Sequence, residues 1–132
     1  MLSAAALGVC GRAESGSAAG PVNGPSQWLW GRPAAHRRAA TLRHTLVGYV
    51  VHHAMASGWA LVHEKCWGAR SRGFLGELGI GATTAAAAYF VDYRLTPKRL
   101  QPGFDAQLSK RSLLLVYASF AVGLALARSR KR

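Results

Sequence analysis

The stretch TLVGYVVHHAMASGWALV, residues 45–62, decides how this chain is read. Bilayer hydrocarbon is about 30 Å thick and an α-helix rises about 1.5 Å per residue, so roughly 17 to 25 mostly apolar residues cross it. The stretch sits at the short end of that range and carries adjacent histidines, His52 and His53, near its middle. Ionisable side chains at membrane depth are costly and face a bundle interior or a water-filled space, which makes this pair the first candidate site.

Two further apolar runs follow, FLGELGIGATTAAAAYFV at residues 74–91 and SLLLVYASFAVGLALA at residues 112–127. Half of the 132 residues are hydrophobic, and nearly all the charge lies between or outside these runs. That partition is the membrane pattern; a soluble amphipathic helix interleaves its charge. The expected fold is therefore all-α, an integral membrane helical bundle of three transmembrane helices in residues 44–132, preceded by a disordered tail in residues 1–43. The tail is rich in Ala, Gly, Ser and Pro, with five arginines against Glu14 alone. Pro21, Pro25 and Pro33 argue against the amphipathic helix of a transit peptide.

A net charge of +12 raises nucleic acid as a partner. No predicted helix presents a basic face interleaved with aromatics, so the Lys and Arg clusters are assigned to the interfaces and to anionic lipid headgroups. The tail and second loop together hold ten Lys and Arg, against seven in the first loop and C-terminal tail, a slight bias toward a cytoplasmic N-terminus.

The linker after residue 62 is short, so the second span returns antiparallel to the first. Its Gly79, Thr83 and Ala87 fall four apart, as do Gly81, Ala85 and Tyr89. Small residues at this spacing let helix backbones approach closely in lipid, which predicts a central packing helix and association with a second copy or a membrane partner. Ser119, Gly123 and Ala127 repeat the spacing in the third span. Equal depth for the antiparallel pair places Thr83 and Thr84 beside His53 and His52, and Ser119 joins the layer. The expected site is thus a polar layer of His52, His53, Thr83, Thr84 and Ser119, serving as interhelical hydrogen bonds or as part of a proton or small-solute conduit.

Glu77 in the first turn of the second span is expected at the interface, paired with Arg70 or Arg72, where a helix N-terminus favours a carboxylate. Asp92 lies at the opposite end, where the dipole disfavours it, which implies a partner such as Arg94, Lys98 or a histidine. No metal or cofactor is expected. His52 and His63 are eleven residues apart, roughly 16 Å along a helix and too far to share an ion. Cys10 and Cys66 form neither a disulfide framework nor a CxxC pair. No catalytic residue set is present: the chain has no nucleophile elbow, no phosphate-cradling glycine loop and no HExxH. A non-enzymatic protein is the expected class.

The segments His52-His53 with Trp59-Ala60, Ala88-Tyr89 through Asp92-Tyr93-Arg94, Pro97-Lys98-Arg99-Leu100 with Pro102-Gly103-Phe104, and Leu108-Ser109 with Arg111-Ser112 carry a resemblance. Over residues 44–127 the chain resembles a group of small bacterial multi-pass membrane proteins of unknown function. That resemblance implies an inner-membrane location and an architecture but no activity; those proteins have a span ahead of the histidine helix, and this chain departs from them because residues 1–40 are not a span. The mitochondrial inner membrane is the alternative location.

Overall fold

The computed structural model describes residues 2–68 and 72–129, and all regular structure among them is helical. Six α-helices follow one another: α1 (Leu2–Ser15), α2 (Ala19–Asn23), α3 (Gln27–Trp30), α4 (Val47–Trp67), α5 (Phe74–Phe90) and α6 (Lys110–Ser129). Two π-helical turns, Leu42–Leu46 and Val91–Leu95, extend α4 at its start and α5 at its end. Short 3₁₀ turns fill much of the remainder.

Each long helix begins and stops for local reasons. The hydroxyl of Thr41 accepts the backbone N–H of His44 and starts the turn leading into α4. Gly73 precedes α5, and Pro97 with Pro102 prevents its continuation. The Ser109 hydroxyl accepts the backbone N–H of Ser112 at 3.3 Å and opens α6.

Two helices are long and apolar enough to cross a membrane, Phe74–Leu95 and Lys110–Ser129. The helix expected as the first span, α4, has 21 residues but does not join them. Its His52, His53, Ser57, His63, Glu64 and Lys65 dilute the apolar character that the quoted stretch alone displays.

Residues 2–36, expected to be disordered, are folded. Leu7 of α1 is completely buried, and α1 packs along α6 through a cluster of Leu7, Cys10, Phe104, Leu108, Leu113 and Val116. Composition pointed the other way because Pro and Gly were counted as helix breakers. Here Pro25 and Pro33 sit at the first positions of short turns, where a missing N–H costs nothing. Gly16 and Gly31 take the positive φ of the connecting bends.

Residues 19–46 and 96–109 form a cap over one end of the long helices. Buried amides tie it together. Asn23 Nδ2 donates to the carbonyls of Arg37 at 2.8 Å and Ala39 at 3.0 Å, and its Oδ1 accepts from Thr45 at 2.7 Å. Gln27 Nε2 donates to the Gln101 carbonyl at 2.6 Å, and Gln107 Nε2 to the carbonyls of Gly20 at 3.0 Å and Ala35 at 2.8 Å.

Below the cap, α5 packs chiefly against α6 and α4 against the cap. At the tightest α5–α6 approach a Cβ on Gly81 would lie 2.7 Å from the Ala121 carbonyl oxygen. Of the two small-residue rows, Gly81 and Ala85 are therefore spent within the chain, while Gly79, Thr83 and Ala87 lie exposed on the opposite face.

Candidate functional site

Four helices and the loop after α5 line a half-open pocket with room of about 40 Å³. Its polar lining is Ser3 of α1, His52 and Trp59 of α4, Asp92 at the end of α5, and Tyr117 of α6. Pro102 and Phe104 cover it from the cap side, and the Phe104 ring meets the His52 imidazole edge-on at 5.6 Å between centroids. A space of this size holds about one or two water molecules.

Both ionisable groups in this lining are nearly out of solvent, His52 at 9% exposure and Asp92 at 8%. His52 Nε2 lies 3.1 Å from the Ser3 hydroxyl. The Tyr117 hydroxyl donates to Asp92 Oδ2 at 2.6 Å, and the Trp59 indole donates toward the same carboxylate. Tyr117 is held in turn by Tyr89, edge-on at 5.3 Å, and by Tyr93 at 6.4 Å.

A second polar cluster joins the far ends of the same helices. Arg128 of α6 reaches Glu77 of α5 and Glu64 of α4, each at 2.8 Å. Glu77 is 1% exposed and also accepts the Arg72 backbone N–H at 3.1 Å. Beside it, Thr84 donates its hydroxyl to the Ile80 carbonyl at 3.0 Å and so accepts from His63 Nδ1 at 2.8 Å. That assigns the proton of a neutral His63 to Nδ1 and leaves Nε2 buried and without a hydrogen-bond partner.

Measured against these positions, the expected layer of His52, His53, Thr83, Thr84 and Ser119 does not assemble. Thr84 meets His63, eleven residues beyond His52. Equal depth fails because α4 runs on to Trp67 and leans on the cap, sliding along α5 by about three turns. Thr83 is exposed and bonds the Gly79 carbonyl at 3.1 Å, while Ser119 bonds Val116 of its own helix at 2.7 Å. His53 is exposed and stacks on Tyr49 at 6.1 Å, although it shares a groove between α4 and α6 with Ser119.

The interfacial charges are placed differently as well. Glu77 is buried against Arg128, a partner from the far end of the sequence, and the expected neighbour Arg72 also reaches it through its backbone N–H; Arg70 lies outside the described residues. Asp92 faces inward to Tyr117, whereas Arg94 and Lys98 are exposed. Sequence reasoning also missed Glu14, which accepts from the Ser109 backbone at 2.7 Å, the Ser109 hydroxyl at 2.6 Å and the Ser112 hydroxyl at 2.5 Å. These hydroxyl bonds, Ser109 first, hold the Glu14 carboxyl below the usual carboxylate range. As the tail's lone acid, Glu14 was the available signal.

At the capped end Arg12, Arg32, Arg37, Arg38, Arg43, Arg94, Lys98, Arg99, Lys110 and Arg111 are all exposed. Both ion pairs between described residues belong to Arg128 at the other end, so none of these ten has a described carboxylate at ion-pair distance. Among the described residues no group of His, Cys, Asp and Glu has the composition to hold a metal ion.

Compared with protein-family models, with curated proteins and with solved structures, the chain matches none.

Proposed function

We propose that this chain is a non-enzymatic integral membrane protein, embedded through α5 and α6, that associates laterally through the small-residue face of α5. One observation carries the reading. The two helices of spanning length and apolarity have only 28% and 33% of their apolar windows buried inside the molecule. A helix from the core of a soluble protein is covered by its neighbours, but here Leu75, Phe90, Leu95, Leu114 and Leu115 point outward at 54% exposure or more. Lipid is the solvent that suits such a surface.

The ten exposed cations gather at the capped end, where anionic headgroups complement them and the bias of Lys and Arg toward the cytoplasmic side orients the molecule. The reading matches the resemblance to small bacterial multi-pass proteins, with α1 standing where those proteins have a span ahead of the histidine helix. A 14-residue helix extends only about 21 Å, so α1 enters the bundle without crossing it.

The exposed row of Gly79, Thr83 and Ala87 is the face on which a second copy or partner would pack. Purified in mild detergent, the chain is expected to have the mass of an oligomer, and Thr83→Leu is expected to shift it toward the monomer. A monomeric wild type, or an oligomer unmoved by Thr83→Leu, would overturn the lateral association. Release of the protein from membranes by alkaline carbonate would overturn the embedding.

A further inference from the structure

We propose that the open groove between α5 and α6 binds one glycerophospholipid with a net negative headgroup, its phosphate at Lys110 and an acyl chain along the alanines below. The inference rests on the membrane reading above and names a specific lipid partner for it.

The groove follows from how the two helices touch. Their backbones meet at Gly81 and Ala121, and the residues flanking that contact on the outer side, Ala82 and Ala86 of α5 and Ala118 of α6, have side chains too short to fill the space between the helices. An open groove with room of about 500 Å³ is left. Leu114 lines it further up, and Tyr89 forms a wall toward the capped end. The neighbouring helix α1 does not cover it, because α1 packs on Leu113 and Val116, a different face of α6.

Length and charge together select the occupant. From Lys110 to Ala121 the groove follows eleven residues of α6, about 16 Å along the axis and close to half of the roughly 30 Å of bilayer hydrocarbon. One leaflet is therefore the depth that an acyl chain lying in the groove would occupy. Lys110 is the one charged residue in the lining, and it sits exposed at the mouth, at the capped end where headgroups lie. Neither ion pair between described residues involves it, and Glu14, which reaches the start of α6, is engaged by Ser109 and Ser112. An ammonium group above an apolar channel suits a phosphate above a hydrocarbon chain. A zwitterionic headgroup brings its own cation to that ammonium, whereas a net anionic one does not.

A second copy fits this groove less well. Two copies in one membrane share an orientation, so joining groove to groove would bring two Lys110 ammonium groups to the same end of the joint. The strip proposed for lateral association is also separate, since Ala82 and Ala86 lie about 100° around α5 from Thr83 and Ala87.

The test is native mass spectrometry of the full chain in dodecyl maltoside, titrated with dioleoylphosphatidylglycerol or dioleoylphosphatidylcholine. Phosphatidylglycerol is expected to saturate at one tightly held molecule per chain and to bind more tightly than phosphatidylcholine. Lys110→Gln is expected to weaken that complex about fivefold, the scale of one lysine beside an anionic headgroup, and to bring the two lipids level. Lys98→Gln, which removes an exposed cation outside the groove, is expected to leave it unchanged. Ala118→Leu, at an exposed position, fills the groove and is expected to weaken binding of both lipids; Ala82→Leu does the same from the other wall should the first variant fail to fold. Equal affinity for the two lipids, or equal weakening by Lys110→Gln and Lys98→Gln, would overturn the proposal in favour of diffuse surface charge. Self-association that Ala118→Leu abolishes and added lipid does not displace would overturn it in favour of a second copy. Retention in pure phosphatidylcholine vesicles through alkaline carbonate, measured alongside, separates the two readings: a retained chain without lipid preference loses this site alone, and a released chain loses the embedding as well.

Discussion

Replacing Gly81 by alanine separates two effects that usually oppose each other quietly. In a helix interior alanine is favoured over glycine by about 1 kcal/mol, because glycine gives up more backbone freedom on folding. At Gly81, however, the new Cβ would lie 2.7 Å from the Ala121 carbonyl oxygen, a backbone atom of α6. A side-chain tip could swing aside, but α6 must retreat as a unit. Overpacking of this kind costs about 1–3 kcal/mol, and the retreat also loosens neighbouring α5–α6 contacts. The clash therefore wins, for a net loss of about 1 kcal/mol. At Gly123, on the partner helix, an added Cβ meets nothing within 4 Å, so alanine there is expected to stabilise by up to about 1 kcal/mol. Unfolding of both variants with SDS in a mild detergent, followed by far-UV circular dichroism, should place them on opposite sides of the wild type and about 2 kcal/mol apart. Equal stabilisation by both substitutions would show that α5 and α6 do not approach as closely as described.

Three other outcomes follow from contacts outside that interface. Arg128→Met withdraws the cationic partner of the buried Glu77 carboxylate and is expected to cost about 3 kcal/mol, with most of the loss recovered when Glu77→Gln is added; thermal melts of the single and double variants check this. The Glu14 carboxyl is held below the usual range, so its contribution is fully present above its unfolded pKa and disappears as pH falls through the depressed folded value. Protection of the α1 amides, taken relative to the intrinsic exchange rate at each pH, should fall on acidification across that interval, and Glu14→Gln should show reduced protection already at neutral pH. Gln27→Ala leaves the Gln101 and Lys98 carbonyls without their donor and is expected to destabilise the cap by about 1–3 kcal/mol, measurable by the same SDS titration.

The helical class and the limits of α5 and α6 were legible in the sequence, because long apolar runs bounded by Pro, Gly and charge have few other readings. Residues 74–91 and 112–127 were expected, and Phe74–Phe90 and Lys110–Ser129 are found. The folded start of the chain was not legible. Its order comes from contacts far apart in sequence, such as Glu14 with Ser109 and Gln27 with Gln101, and composition carries no trace of them. The candidate site was half legible. His52 stood out as a histidine inside an apolar run, and Asp92 as an acid at the wrong end of a helix. Their meeting at one cavity depends on where α4 sits relative to α5, and helix lengths alone do not fix that slide. Thr84 was expected beside His52, and it bonds His63 instead.

Spin-label accessibility tests the membrane embedding most directly. Single cysteines at Ala86 of α5 and at Leu115 and Ala118 of α6, all exposed, would carry labels in a Cys10→Ser, Cys66→Ser background in lipid nanodiscs. Embedding predicts that dissolved oxygen relaxes these labels more effectively than a water-soluble nickel chelate, most strongly where the label sits deepest. Greater access by the nickel chelate at all three positions would place α5 and α6 in water and contradict the reading.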